Sequence, residues 1–384
     1  MNLNKKNILS GLTTLAYANI NRFFSKPVKP KVVAYSVTWR CNAKCPMCGL
    51  QSMDNALKDV SKELTASDIS TAFKDKTLDS LDLIRFTGGE PFLKNDFPQI
   101  IEQIWKNAAP KLFYITTNGT YTDRIKDFVK YYDGKDIKLN IQISLDSANE
   151  MHDKIRGVPG LFNKALATLE MLKTFKDKSK NIIIGVNQTI IKENMDEIAG
   201  VNKLMKQLGF EHKIYVAVDS HESTIMSKGK KTYEFKLCSD YTREEIEKIY
   251  DEIQGTLWKN KKFRGITDVN YIWHLVEEFL VQGSKNRALK IGNTSNAPCL
   301  AAFLYFRLMP NGDVMPCTLK PMVLGNLRNE TFSSIWYSKE TQLVRKNEIK
   351  TCPGCWVECD IVSNFVYSPF IIKRFLSNLI SKKK

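Results

Sequence analysis

Two periods alternate along this chain. Short β-branched or aromatic runs recur in "KVVAYSV", "LDLIRFTGGEPF", "KLFYITTNGT", "DIKLNIQISLDS", "NIIIGVNQTII" and "HKIYVAVD", each closing on polar or glycine residues. Between them, "ASDISTAFKDK", "FPQIIEQIWKN", "TDRIKDFVKYY", "LFNKALATLEMLKTF" and "NMDEIAGVNKLMKQLG" carry apolar residues at i, i+3 and i+4, the stripe of a helix with one buried face. Six strands separated by helices predict parallel βα units with right-handed crossovers. The fold class is therefore α/β, a partial (β/α)6 TIM-like barrel, in which functional groups collect at the carboxyl ends of the strands. Further on, "HESTIMSKGKKTYEF" reads as an irregular basic insertion, "YTREEIEKIYDEIQGTLWKN" and "VNYIWHLVEEFLV" as helices, and "KNRALKIGNTSNAP" as a linker. The expected divisions are an N-terminal arm (1–30), the barrel (31–220), insertion plus helical linker (221–296), a small cysteine-rich domain (297–360) and a C-terminal helix (361–384).

Length and charge refine this picture. The 384 residues exceed the usual size of one domain, and the apolar content suffices for a buried core. No apolar run approaches the roughly 20 residues of a membrane span. The opening segment lacks a clean apolar core and a small-residue cleavage site, so it is expected to be retained in a cytoplasmic protein. The net charge is +16, and residues 1–31 and 361–384 together hold eleven lysines and arginines with no acid. The middle of the chain is nearly balanced, and no nucleic-acid partner is expected.

Eight of the nine cysteines fall in two groups, and Cys238, standing alone, is expected to be an incidental thiol. The first group is "CNAKCPMC", Cys41, Cys45 and Cys48, directly after the first predicted strand. A structural zinc would want a fourth protein ligand, which this loop does not offer. Three thiolates on a four-iron cluster leave one iron open to a ligand from outside the protein. "TGGEP" follows at the end of the second strand, "TTNGT" at the third, "ISLD" at the fourth, then "HDKIRG" and "GVNQT".

This arrangement resembles the radical S-adenosylmethionine (SAM) superfamily. The resemblance implies that SAM chelates the open iron and is reductively cleaved, giving a 5′-deoxyadenosyl radical that abstracts hydrogen from substrate. It also implies a reducing partner such as flavodoxin or ferredoxin. Under it Cys41, Cys45 and Cys48 are the catalytic ligands, Gly88 and Gly89 allow close backbone approach, and Glu90 accepts from the SAM ammonium. Met47 would pack near adenine, Asn118 would face SAM, and Ser144 and Asp146 would contact ribose or carboxylate. Arg156 would lie near that carboxylate, and Asn187 or Gln188 near adenine or ribose. Taken singly, each polar residue is equally a strand-end cap or turn, and Met47 equally core filling.

The second group begins with "CLAAFLYFRLMPNGDVMPC" and ends with "CPGCWVEC". "NGD" is a tight hairpin turn. The pattern resembles the SPASM/twitch auxiliary-cluster module, which implies a C-terminal iron–sulfur domain. Five cysteines, Cys299, Cys317, Cys352, Cys355 and Cys359, supply one auxiliary [4Fe-4S] cluster with one to spare, Cys359 either substituting or free. A zinc ribbon is the structural alternative.

Both ends are amphipathic. Ile8, Leu9, Leu12, Leu15, Ala16, Ile20, Phe23 and Phe24 share one helical face, and Ile372, Phe375, Leu376, Leu379 and Ile380 another. Apolar face plus basic flank suits either packing on the barrel or peripheral binding to an anionic membrane. The functional expectation is a radical oxidoreductase or maturase whose auxiliary cluster moves an electron or positions substrate. Its substrate would be a peptide or protein side chain, or a membrane lipid or lipid-linked intermediate. The alternative is a non-catalytic, membrane-associated metal-binding scaffold.

Overall fold

The computed structural model describes residues 5–176, 178–218, 237–258, 269–291, 297–320, 322–352, 355, 357–367 and 369. The basic insertion near 220–235 and the C-terminal stripe from Ile372 onward lie outside the described residues, as does the side chain of Cys359.

The six strands are β1 Val32–Ser36, β2 Leu83–Thr87, β3 Leu112–Thr117, β4 Leu139–Ser144, β5 Ile182–Ile190 and β6 Glu211–Val216. They are parallel and adjacent in chain order. The helices are α1 Lys5–Phe23, α2 Ala66–Ala72, α3 Phe97–Ala108, α4 Thr122–Tyr132, α5 Met151–Arg156, α6 Leu161–Lys176 and α7 Ile198–Leu208. Local chemistry sets several ends: Thr65 and Asp68 form a reciprocal capping box at the start of α2. Gly209, at φ +77°, ends α7 in the left-handed conformation.

Strand alternation divides the sheet into two faces. Ile84, Phe86, Phe113, Ile115, Ile141 and Ile143 point outward into the main core, where Phe92, Phe97 and Phe128 of the surrounding segments join them. The opposite positions, such as Arg85, Tyr114, Asn140, Gln142, Asn187 and Lys213, are largely polar. Such a lining leaves room for ligand where a closed barrel packs side chains.

The C-terminal module continues this sheet. Strand β7 Tyr305–Leu308 pairs parallel with β1, Val32 opposite Tyr305 and Tyr35 opposite Leu308. The expected hairpin follows: β8 Asp313–Met315 runs antiparallel to β7, then β9 Gly325–Asn326 antiparallel to β8. Gly312 takes φ +96° at the turn, a conformation glycine supplies at little cost.

Helices α8 Arg243–Trp258 and α9 Val269–Ala288 cover the β6 side. Here the sequence reading needs correction, because residues 285–288, expected to begin a linker, complete α9. Beyond β9 come α10 Phe332–Tyr337, α11 Lys339–Val344 and α12 Glu358–Val366.

The N-terminal helix is docked on the body. Ala18 packs with Val28, Phe303 and Leu304, Asn19 Nδ2 donates to the Tyr367 carbonyl at 2.9 Å, and Arg22 Nε to the Cys299 carbonyl at 2.8 Å. Tyr17, Ile20, Phe23 and Phe24 remain exposed. No helix among the described residues is long and apolar enough to cross a membrane.

Candidate radical-cofactor site

The loop after β1 and the glycine loop after β2 are joined backbone to backbone. Gly89 N donates to the Thr38 carbonyl at 2.6 Å, and Glu90 N to the Arg40 carbonyl at 2.9 Å. A Cβ on Gly89 would stand 1.9 Å from the Arg40 oxygen, so only glycine admits this contact. Gly88, at φ +102°, likewise holds its Cα where a side chain would meet the Thr38 oxygen at 2.5 Å. The loop is also held from below, where the buried Glu63 carboxylate receives Thr38 Oγ1, Arg40 Nε at 3.2 Å and Lys94 Nζ at 3.0 Å.

A cavity of about 340 Å³ opens beneath these loops, lined at one end by Cys41, Cys45, Met47, Cys48, Gly88 and Gly89. N–H donors approach two of the sulfurs: Ala43 N stands 3.4 Å from Cys41 Sγ, and Arg156 Nη1 3.7 Å from Cys45 Sγ. Burial pushes the Cys41 thiol up to about 12. A buried thiolate is costly by itself, and a soft cationic centre removes that cost.

The polar residues expected around SAM divide into two layers. Glu90, Asn118, Ser144, Arg156 and Asn187 line the cavity. Glu90 is fully buried, and its oxygens accept from Thr117 Oγ1 at 2.6 Å, Asn118 N at 2.7 Å and Phe92 N at 3.0 Å. Burial raises its pKa against the pull of those donors. Three donors on a carboxylate with about four acceptor positions leave room for one more, as an ammonium would need. Asp146 stands behind this layer, and so does Gln188, which bonds the Asp146 carbonyl at 3.1 Å and His212 Nε2 at 3.0 Å. Fully buried and outside the lining, Asp146 pairs with Arg156 Nε at 2.6 Å and accepts Thr189 N at 2.9 Å. Its place in the fold is to orient Arg156, whose guanidinium reaches the cavity.

His152 supports the same corner, its Nδ1 accepting Asp146 N at 3.0 Å. Burial and the nearby Arg156 lower its pKa to about 4. The folded state thus resists a proton that the unfolded chain takes up near 6.5, so stability falls as pH drops through that window toward 4. Between pH 7 and pH 5 the wild type should lose about 2 kcal/mol more than His152→Gln, measured by urea unfolding at each pH. Equal losses would refute this assignment.

Sequence reasoning missed Arg85, Arg307, Tyr215, Tyr250, Ser284 and Thr318, which also line the cavity. The available signal was a lone arginine inside each apolar run, "LDLIRFT" and "FLYFRLM". Cys299, Cys317, Cys352 and Cys355 lie near enough in the C-terminal module for their charges to act on one another. Burial raises Cys299 to about 11 and holds Cys317 and Cys355 well above the ordinary thiol range, and Cys352 adds its field at Cys299. Asp360, also buried, faces the same group and accepts Thr318 N at 3.1 Å. Cys238 lies elsewhere, against Ile155, Ile191 and Ala217.

Among the described residues no group of three or more His, Cys, Asp or Glu side chains closes around a single metal ion. A tetrahedral zinc, with bonds of about 2.3 Å, draws its thiolates close together. An iron–sulfur cubane carries them outward on the corners of a cage. Three thiols beside a glycine-lined cavity, and a second group of four in which Cys299 is buried and the others partly so, fit the cluster chemistry.

The model described as the Radical SAM superfamily matches residues 35–204, and the SPASM model, an iron-sulfur cluster-binding domain, matches residues 299–359. An Fe-coproporphyrin III synthase of Methanosarcina barkeri is 28% identical over 60% of this chain and 54% of its own. The antilisterial bacteriocin subtilosin biosynthesis protein AlbA of Bacillus subtilis is 27% identical over 80% of this chain and 60% of its own. The chain thus spans between about half and three-fifths of the length of these two relatives. In fold it is similar to Streptococcus suis SuiB bound to precursor peptide SuiA, with a TM-score of 0.58 at 13% identity, covering 90% of this chain and 71% of that one.

Proposed function

We propose that this chain, which carries a radical SAM domain and a C-terminal SPASM domain, is a radical SAM enzyme that modifies a side chain of a peptide or protein. The observation that carries the reading is a cavity whose lining includes both the Cys41, Cys45 and Cys48 loop and Thr318 and Val357 of the C-terminal module. The likeness to AlbA, named for bacteriocin biosynthesis, and to SuiB, seen with a precursor peptide, supports a peptide substrate.

When bound, the cluster and SAM supply an electron and a 5′-deoxyadenosyl radical that takes a hydrogen atom from substrate. The chain's own residues hold the geometry. Cys41, Cys45 and Cys48 would ligate three irons of the first cluster, and Cys299, Cys317, Cys352 and Cys355 the auxiliary one, with Cys359 as the fifth thiol. Glu90 would take the SAM ammonium with its remaining acceptor position. Arg156, held by Asp146, presents its guanidinium to the opposite wall beside Cys45. Met47, Ser144, Asn118 and Asn187 complete the enclosure. A reductant such as a flavodoxin or ferredoxin would deliver the electron from outside. The non-catalytic scaffold predicts a degraded SAM site, whereas the glycine contacts and the Glu90 bonds are intact.

Peptide mass spectrometry of cells carrying wild type or Cys48→Ala, grown without oxygen, tests the reading. The expected result is a peptide that loses hydrogen or gains a new bond only with wild type. A wild-type-dependent change confined to the lipid or tetrapyrrole fraction would overturn it.

A further inference from the structure

We propose that Glu63 is a positioning residue that couples the C-terminal module to the loop carrying Cys41. The inference rests on the reading above that this loop holds the SAM-binding cluster. Glu63 lies in the stretch "SKELTASD", just ahead of α2. Its backbone and its side chain face different partners.

The backbone partners belong to the C-terminal module. Leu64 N donates to the Pro310 carbonyl, between β7 and β8, at 2.6 Å. Arg328, two residues past β9, donates through Nη2 to the Glu63 carbonyl at 2.7 Å and to the Lys62 carbonyl at 3.3 Å. Leu64 itself is buried in the main core. Just beyond, the capping box of Thr65 and Asp68 fixes the direction in which the chain leaves this contact.

The side-chain partners belong to the loop after β1. Thr38 Oγ1 donates to the Glu63 carboxylate, and Arg40 grips both of its oxygens, Nε and Nη2 each at 3.2 Å. Such a two-pronged pair fixes orientation as well as distance. Lys94 Nζ reaches the carboxylate at 3.0 Å and Asp96 at 3.2 Å, and Asp96 accepts Ala66 N at 3.0 Å, which closes a ring back to α2. Glu63 is 3% exposed, and a buried charge separated from its partners is costly, so this group shifts as a unit. The carbonyls of Thr38 and Arg40 are the ones that accept Gly89 N and Glu90 N. On the other side, the same C-terminal hairpin leads into Cys317, two residues past β8. Seating of the C-terminal module therefore sets, through Glu63, how firmly the SAM loop is held.

Hydrogen exchange read by mass spectrometry on the reconstituted full chain without SAM, paired with equilibrium dialysis against SAM, provides the test. Glu63→Gln and Arg328→Gln should each speed exchange at Gly89 and Glu90 at least about tenfold and weaken SAM by a similar factor, while the amides of β4 keep wild-type rates. Arg328→Gln is the cleaner variant because its side chain is partly exposed. The double variant should bind SAM no more weakly than the worse single one, since both act through one joint. Faster exchange in Arg328→Gln confined to residues 60–68, or accelerated equally in β4, overturns the coupling, and so do single effects on SAM that multiply in the double variant. Accelerated exchange at Gly89 and Glu90 in a chain whose wild type binds no SAM keeps the joint and overturns the reading of the loop as the SAM site.

Discussion

Cys48→Ala should abolish formation of 5′-deoxyadenosine from SAM and lower reconstituted iron from about eight to about four atoms per chain. Under the proposed ligand set, Cys41, Cys45 and Cys48 would be the protein's whole contribution to the first cluster. The other lining side chains near these sulfurs are Arg156 and Asn118, which approach them as donors, the apolar Met47, Leu50 and Ala43, and Glu90, whose oxygens already hold three donors, so none supplies a thiolate in place of Cys48. The second group, Cys299, Cys317, Cys352 and Cys355, lies in the C-terminal module and should keep its four irons. Anaerobic reconstitution with iron analysis and chromatography of nucleoside products reads both effects. Retained cleavage would remove Cys48 from the site, and four irons plus one zinc in the wild type would make the second group a zinc site.

Gly89→Ala should cost at least about 3 kcal/mol and eliminate measurable SAM binding. The added methyl would lie 1.9 Å from the Arg40 carbonyl oxygen and 2.5 Å from its carbon, and both belong to backbone that cannot swing aside. Arg40 precedes Cys41, so displacement of either loop breaks the shared bond from Glu90 N and moves the first cysteine. Gly255→Ala is the control, because nothing lies within 4 Å of its added methyl. Within α8 that change should stabilise by about 0.5–1 kcal/mol. Denaturant unfolding and equilibrium dialysis with SAM measure the pair. Similar behaviour of the two variants would show that the loop junction yields to an extra methyl.

Much of the site was legible before any coordinates. Cys41, Cys45, Cys48 and the glycine pair are contiguous motifs at strand ends, and local chemistry explains each. Arg156 was placed near the SAM carboxylate and Asp146 in contact with ribose or carboxylate, whereas the structure puts Asp146 outside the cavity lining and pairs it with Arg156. Two acids at strand ends look alike in sequence, and only packing shows that Glu90 lines the cavity while Asp146 stands behind it. The linker expected from residue 285 was misread because Lys285, Asn286 and Arg287 are polar, although α9 continues through them to Ala288.

The sequence by itself determined the six βα units, the two cysteine groups and the hairpin at Asn311–Asp313, since each follows from side-chain period or turn chemistry within a short window. Tertiary structure decided that the C-terminal strand β7 joins the edge of β1, which no local pattern encodes. That pairing sets Arg307 level with Arg85 across Ala34 and brings Thr318 and Val357 of the C-terminal module into the lining of the cavity that Cys41, Cys45 and Cys48 also line. The physical reason is register: hydrogen bonding between strands far apart in the chain fixes which residues share a face, and burial then assigns each charge its partner.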